Sequence, residues 1–214
     1  MRKPPDQLID ALVSDLAPTA RRPALNPMAL TWLACSFVYV VLVTLMLGAY
    51  RPGFTEQLLA HPRFAGEMLL GLAAITAVAL ALFRSAVPGA LGRHLHWLAI
   101  GLVCLWLGSQ LASLVSPALP PAMLGKRPHC LYETLLIALP PLGIALLLQR
   151  RLYPLRPARS AGLAGLCAGM MPAWIMQVAC MYDPQHSLAF HILPGVSVAV
   201  VAMLVGLVVL QPRP

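Results

Sequence analysis

Charged side chains are scarce in this chain of 214 residues: Asp, Glu, Lys and Arg together make up only 10% of it. A typical soluble domain has about 25% charged residues, so the composition excludes an ordinary water-soluble fold. Hydrophobic residues instead make up 59% of the chain, and its mean hydropathy is +0.79. Several apolar runs reach about 18 to 23 residues without a central charge, which is enough to cross about 30 Å of hydrocarbon. The sequence therefore predicts an all-α, polytopic transmembrane bundle.

Several patterns that carry chemistry are also missing from the sequence. No Asp, Glu, Lys or Arg falls at the middle of an apolar run, although ion-coupled transporters and proton pumps usually place ionisable groups there. The chain has no glycine-rich phosphate loop, no nucleophile beside a base and no basic nucleic-acid-binding motif. These absences argue against an enzyme, a coupled transporter and a protein that binds nucleic acid directly. No cofactor is required by any motif.

The apolar runs define six predicted transmembrane helices, at residues 28–50, 66–83, 95–115, 131–148, 161–180 and 188–210. The transmembrane domain thus covers residues 28–210, with a cytoplasmic end at 211–214 and outer loops at 51–65, 116–130 and 181–187. Proline inside a helix predicts a kink in the fourth span, at Pro140 and Pro141, and in the fifth, at Pro172. The small-residue spacing of Gly165 and Gly169 predicts close helix packing.

The distribution of Lys and Arg predicts the orientation, because cytoplasmic segments of membrane proteins are enriched in these residues. If the N-terminus is cytoplasmic, eleven of the fifteen basic residues lie in inner segments. The outer segments then hold only four: Arg51, Arg63, Lys126 and Arg127. We therefore predict that both termini are cytoplasmic and that the net charge of +8 mainly anchors the inner loops at the membrane.

Residues 1–27 precede the first predicted span and contain a short amphipathic helix, from Asp6 to Leu16. One face of this helix is apolar and consists of Leu8, Ile9, Leu12, Val13 and Leu16. The opposite face carries acidic residues, whereas helices that lie on a bilayer favour Lys and Arg there. A helix this short is only marginally stable alone and needs a surface on which to fold. The pattern therefore favours binding to a protein partner.

Two polar islands interrupt the apolar sequence, at residues 126–133 and 178–194. Each has a cysteine at the outer end of a predicted span, Cys130 in the first island and Cys180 in the second. Side chains that bind soft metals accompany them, namely His129, Met181, His186 and His191. The remaining cysteines lie inside predicted spans and are expected to be small apolar fillers: Cys35, Cys104 and Cys167.

Three interpretations of Cys130 and Cys180 remain open. Two thiols in an oxidising compartment can form a permanent disulfide that staples the outer loops. They can instead form a reversible redox switch, or bind copper or zinc with the neighbouring histidines and methionine. Spacing along the chain does not separate these interpretations, because the ligands come from different loops. His191 lies slightly inside the last span and needs a hydrogen-bond partner, for which Asp183 is the candidate.

Four features, in order along the chain, resemble the NrsF family. They are LIDALVSDL followed by Arg21-Arg22-Pro23, the PHC sequence that ends at Cys130, the arginine-rich segment 150–159, and the C-x-x-D turn with His191. The family comprises six-span bacterial inner-membrane proteins that negatively regulate sigma factor F, a sigma factor of the extracytoplasmic-function type. The resemblance covers essentially the whole chain. It implies that residues 1–27 hold a sigma factor at the membrane, and that Cys130 and Cys180 receive a heavy-metal or oxidant signal, including reactive chlorine.

From the residues and the resemblance together we expect an anti-sigma factor rather than an enzyme. The tail helix is expected to contact the sigma factor through Leu8, Ile9, Asp10, Leu12, Asp15 and Leu16. A reaction at the outer cysteines would then favour a state of the bundle in which the tail binds sigma less well. The sequence does not indicate how the signal reaches the tail. Two alternative functions are a membrane permease for a metal or small molecule, and a structural scaffold with a permanent disulfide.

Overall fold

The computed structural model describes residues 5–14 and 24–210, where the regular elements are helices apart from one isolated bridge between Ala122 and Tyr182. The helices are α1 (Pro5–Ser14), α2 (Leu25–Leu47), α3 (Phe54–Ala60), α4 (Pro62–Ser85), α5 (Arg93–Ala112), α6 (Cys130–Arg150), α7 (Pro157–Ala179), α8 (Pro184–Ser187) and α9 (Leu193–Val209). A π-helical segment, Leu188–Ile192, connects α8 to α9, so the last span is one helix with a wider turn in it.

Six helices in the described ranges are long and apolar enough to cross a membrane: α2, α4, α5, α6, α7 and the continuous helix Pro184–Val209. This confirms the predicted all-α, six-span fold. The last span starts at Pro184 rather than at residue 188, and the first outer loop contains the unpredicted helix α3. The orientation of the termini stays a prediction.

The short N-terminal helix is present as α1, which begins at Pro5 and ends at Ser14. Three of its apolar side chains are largely exposed: Ile9 at 56%, Leu12 at 62% and Val13 at 60%. Leu8 and Asp10 also belong to α1. Asp15 and Leu16, the last two predicted sigma-binding residues, lie outside the described residues. An apolar face on a short helix is thus left open to a partner.

Helix α7 lies at the centre of the bundle and packs against α9, α6, α4 and α2. Its contact with α9 is close because glycines meet there. A Cβ atom at Gly169 would overlap the carbonyl oxygen of Gly195, and one at Gly165 would lie 2.6 Å from the carbonyl oxygen of Val198. The small-residue spacing of Gly165 and Gly169 therefore gives the close helix packing that the sequence predicted, and α9 is the partner helix. Both α6 and α7 continue as helices through their internal prolines.

The two ends of the bundle are held by different polar contacts. We call the end where α2 begins the tail end, since the segment that carries α1 joins the bundle there. At the tail end, Nε and Nη2 of Arg84 donate to Oδ1 of Asn26 at 3.1 and 2.8 Å. The opposite end, where α2 and α7 finish and α6 starts, holds Cys130 and Cys180, and we call it the cluster end.

Candidate functional site

The cluster end brings the two outer cysteines into direct contact. Cys130 is the first residue of α6, and Cys180 immediately follows α7. Their sulfur atoms are 3.1 Å apart, and both residues are free thiols. Both side chains are buried, with 3% and 0% of their surface exposed. Two thiols that are 50 positions apart in the sequence therefore lie close enough for an oxidant to join them in a disulfide.

Two histidines complete the group on its α8 side. Nε2 of His186 lies 3.5 Å from Sγ of Cys180, and its ring is stacked on Phe190 with the ring centroids 4.8 Å apart. The ring of His191, in the π-helical segment, lies 5.0 Å from that of His186. A π-helical turn is wider than an α-helical one, and such turns are frequent at functional sites. The turn places His191 beside the cysteines.

His191 is the side chain in the group with the least compensation for its burial. It is completely buried, and neither ring nitrogen has a hydrogen-bond partner within the described ranges. The sequence suggested Asp183 as its partner, and this was wrong. Oδ1 of Asp183 instead accepts a hydrogen bond from the backbone N of His186 at 2.7 Å, as the N-cap of α8. Because the Asp183 carboxylate serves as this N-cap, it is not a hydrogen-bond partner of His191.

The four side chains form a donor set of the kind that binds zinc or copper. One donor atom from each of Cys130, Cys180, His186 and His191 lies within 4.8 Å of the other three. Tetrahedral zinc holds sulfur and nitrogen at about 2.0 to 2.3 Å, which spaces its ligands about 3.5 Å apart. To suit zinc, the widest of these spacings would contract by about 1 Å, and the two sulfur atoms, 3.1 Å apart, would separate slightly; Cu(I) accepts the same ligands. The residues present fit such a metal.

Of the two other candidate ligands from the sequence, His129 lies outside the donor group and Met181 is buried. His129 precedes α6 as its N-cap and lines a cleft of about 830 Å³ between α2 and α6, outside the donor group. Met181 is buried next to Cys180. Among the remaining cysteines, Cys167 is buried as expected of a filler, whereas Cys35 and Cys104 are exposed on the outside of the bundle.

Electrostatics at the cluster end distinguish the two thiols. The hydrogen bond with Cys130 lowers the pKa of the Cys180 thiol against the effect of its burial, and the neighbouring His191 ring acts in the same direction as Cys130. The thiolate, not the thiol, is the nucleophile and the metal ligand. The direction of this shift favours the thiolate form at Cys180.

Sequence reasoning missed the two arginines that border the pair. Arg51 and Arg127 were counted only as outer-loop charges, yet they are 1% and 7% exposed. Nη1 of Arg51 donates to the carbonyl oxygen of Cys180 at 3.0 Å, and the carbonyl oxygen of Arg127 accepts from Sγ of Cys130 at 3.2 Å. The available signal was positional, since Arg127 lies three residues before Cys130 and Arg51 directly follows a span.

Comparison with known proteins gives two findings. The family described as NrsF, "Negative regulator of sigma F", matches residues 12–211. The chain is also 30% identical, over 152 residues, to "Carotenogenesis protein CarR" of Myxococcus xanthus; this covers 70% of the chain and 67% of that protein. No solved structure matches the chain.

Proposed function

The chain belongs to the NrsF family of negative regulators of sigma F, and from that premise we propose how it acts. It is a multi-pass protein of a bacterial inner membrane, with a cytoplasmic N-terminus, that holds an extracytoplasmic-function sigma factor through α1. It releases this sigma factor when Cys130 and Cys180 react. The observation that carries the sensing step is the 3.1 Å contact between the two sulfur atoms of these residues.

The chemistry of the pair suits an oxidant such as hypochlorous acid. A disulfide has a sulfur–sulfur bond of about 2.05 Å, so the two sulfur atoms need to approach by only about 1 Å. Hypochlorous acid first converts the thiol of Cys180 to a sulfenyl chloride and water. The thiol of Cys130 then displaces chloride, forming the disulfide and releasing a proton. The two thiols lose two electrons, and the chlorine is reduced to chloride, so the step is balanced.

Binding and release of the sigma factor by the purified protein test this function directly. The intact protein, purified in detergent, is expected to retain the extracytoplasmic-function sigma factor encoded in its own genome when its cysteines are reduced. Hypochlorite is expected to release most of the sigma factor, and a thiol reductant should restore binding. The measurement is the sigma fraction that stays with the immobilised protein. Failure to retain any sigma factor under reducing conditions would rule the proposal out.

A soft metal is a second candidate for the signal, favoured by His191. A fully buried imidazole with no hydrogen-bond partner in the described part of the chain is costly, and a metal would satisfy it. We propose that zinc or Cu(I) is bound by the thiolates of Cys130 and Cys180 and by the rings of His186 and His191. Binding would release the thiol protons, because a metal requires deprotonated ligands.

Substitution of the histidines separates the metal from the oxidant. His191→Ala is expected to weaken zinc binding by more than about a hundredfold, since even the loss of a residue that only orients a ligand costs about 10- to 100-fold. The same variant should still form the disulfide with hypochlorite. His129→Ala, outside the donor group, serves as the matched control. Equal zinc affinity in both variants, measured by titration calorimetry, would leave the oxidant as the only signal.

A further inference from the structure

Two buried arginines at the cluster end connect the cysteine pair with the C-terminal end of α2. Arg51 follows α2 after three residues, and Arg127 precedes α6 by three. Helix α2 is the span that leads to the N-terminal tail. The cysteines lie on α6 and just after α7, so a signal must pass from these elements to α2 before it reaches the tail.

Arg127 holds the end of α2 through its side chain and Cys130 through its backbone. Its Nη2 donates to the carbonyl oxygen of Thr44 at 2.9 Å, and its Nη1 to that of Gly48 at 3.3 Å. These are carbonyl groups at a helix C-terminus, where intrahelical donors run out and a cation is favourable. The thiol of Cys130 donates to the carbonyl oxygen of Arg127. Nε of Arg127 also forms an ion pair with Oε2 of Glu133 at 2.9 Å.

Arg51 makes the corresponding contact with Cys180. Its backbone N donates to the carbonyl oxygen of Val178 at 3.2 Å, and its Nη1 donates to that of Cys180 at 3.0 Å. The guanidinium lies 5.8 Å from the ring of Phe64 and 5.7 Å from that of Tyr182. No carboxylate in the described ranges forms an ion pair with it. The carbonyl oxygen of Cys180 is therefore the polar partner that fixes the guanidinium of Arg51.

We propose that Arg127 and Arg51 transmit the state of the cysteines to α2, and through α2 to the sigma-binding tail. Formation of the disulfide removes the thiol proton that Cys130 donates to the carbonyl oxygen of Arg127, and it draws Cys130 and Cys180 together, which displaces the carbonyl oxygen of Cys180 that accepts from Arg51. Both arginines then shift with the cysteines, and this shift strains the hydrogen bonds from Arg127 to the carbonyl oxygens at the end of α2. Because α2 is one continuous helix of 23 residues, about 35 Å long, a shift at the cluster end reaches the tail end. This inference rests on the proposed function of the cysteine pair.

A purely structural role for Arg127 predicts something different from this coupling. A structural residue would change stability or resting binding, but it would not separate oxidation of the cysteines from release of sigma. The test therefore follows both events in the intact protein. Disulfide formation is read as loss of maleimide labelling, and sigma retention is read on the same sample after hypochlorite treatment.

In Arg127→Gln we expect the disulfide to form to the same extent as in the wild type, but sigma release to fall about tenfold or more, within the range of measured coupling effects. Arg127→Lys should be intermediate, since lysine keeps the charge but lacks the two-pronged guanidinium. Lys126→Gln, which removes the adjacent cation, should release sigma like the wild type. Full release by an oxidised Arg127→Gln protein would overturn the coupling while leaving the sensor function intact.

A second measurement needs no sigma factor, so its failure cannot be confused with failure of the proposed function. Hydrogen exchange of the backbone amides in the last turn of α2, near Thr44 and Gly48, should speed up in the wild type when the cysteines are oxidised. The increase should be absent in Cys130→Ser. Unchanged exchange in an oxidised wild-type protein would overturn the proposal, even if an arginine variant failed to fold.

Discussion

Replacement of Cys130 by serine is expected to leave the sigma factor bound at rest and to abolish its release by hypochlorite. Serine cannot supply the second sulfur of a disulfide, and its hydroxyl does not replace the soft thiolate as a metal ligand. The resting structure should persist, because a hydroxyl can still donate to the carbonyl oxygen of Arg127 that accepts from Cys130 at 3.2 Å. The variant therefore removes disulfide formation and metal binding, but it keeps the hydrogen bond to the carbonyl oxygen of Arg127.

The expected effect of Cys130→Ser is large because the switch has to move most of the sigma factor. A shift from 99% bound to 99% released requires about 5.5 kcal/mol of difference between the two states. The variant should keep the resting level of bound sigma at every hypochlorite concentration that empties the wild type. Cys104→Ser is the matched control, since Cys104 is an exposed thiol away from the cluster and its loss should change nothing. A Cys130→Ser protein that releases sigma like the wild type would show that the cysteine pair is not the sensor.

Hydropathy was enough to predict the six spans, because each apolar run is long and lacks a central charge. It did not predict the π-helical segment Leu188–Ile192, since a single wider turn leaves no periodic pattern in a segment of five residues. The close approach of Gly165 and Gly169 was predicted from their spacing. Their partner α9 was not, because any neighbouring helix with small residues satisfies the same spacing.

Parts of the candidate site were visible in the sequence because polar side chains are rare in this chain. Cys130, Cys180, His186 and His191 stand out against apolar surroundings, and the structure brings these four together. His129 was grouped with them through its place next to Cys130, but it faces the cleft between α2 and α6. The burial of Arg51 depends on Phe64 and Tyr182, which come from distant parts of the chain. No local pattern encodes such a contact.

The tail is where we expect the second large effect: Ile9→Asp together with Leu12→Asp should abolish capture of the sigma factor. Both side chains are more than half exposed on α1, at 56% and 62%, so they are available to a partner. Burial of one such side chain contributes about 1.5 to 3 kcal/mol. Loss of two should weaken binding by at least about 3 kcal/mol, which is about a hundredfold in the dissociation constant. The measurement is the affinity of the purified sigma factor for the intact protein under reducing conditions.

A matched control keeps the added charge and moves it to the opposite face of α1. Gln7→Asp with Ser14→Asp adds the same two negative charges, but Gln7 and Ser14 lie across the helix from Ile9 and Leu12 by its periodicity of 3.6 residues. This control should bind sigma within a few-fold of the wild type. Neither double variant changes the bundle, so both proteins should still form the disulfide between Cys130 and Cys180 with hypochlorite. Equal loss of sigma binding in both would mean that net charge, rather than the apolar face of α1, governs capture. Full binding by the Ile9→Asp/Leu12→Asp protein would place the sigma-binding surface elsewhere on the chain.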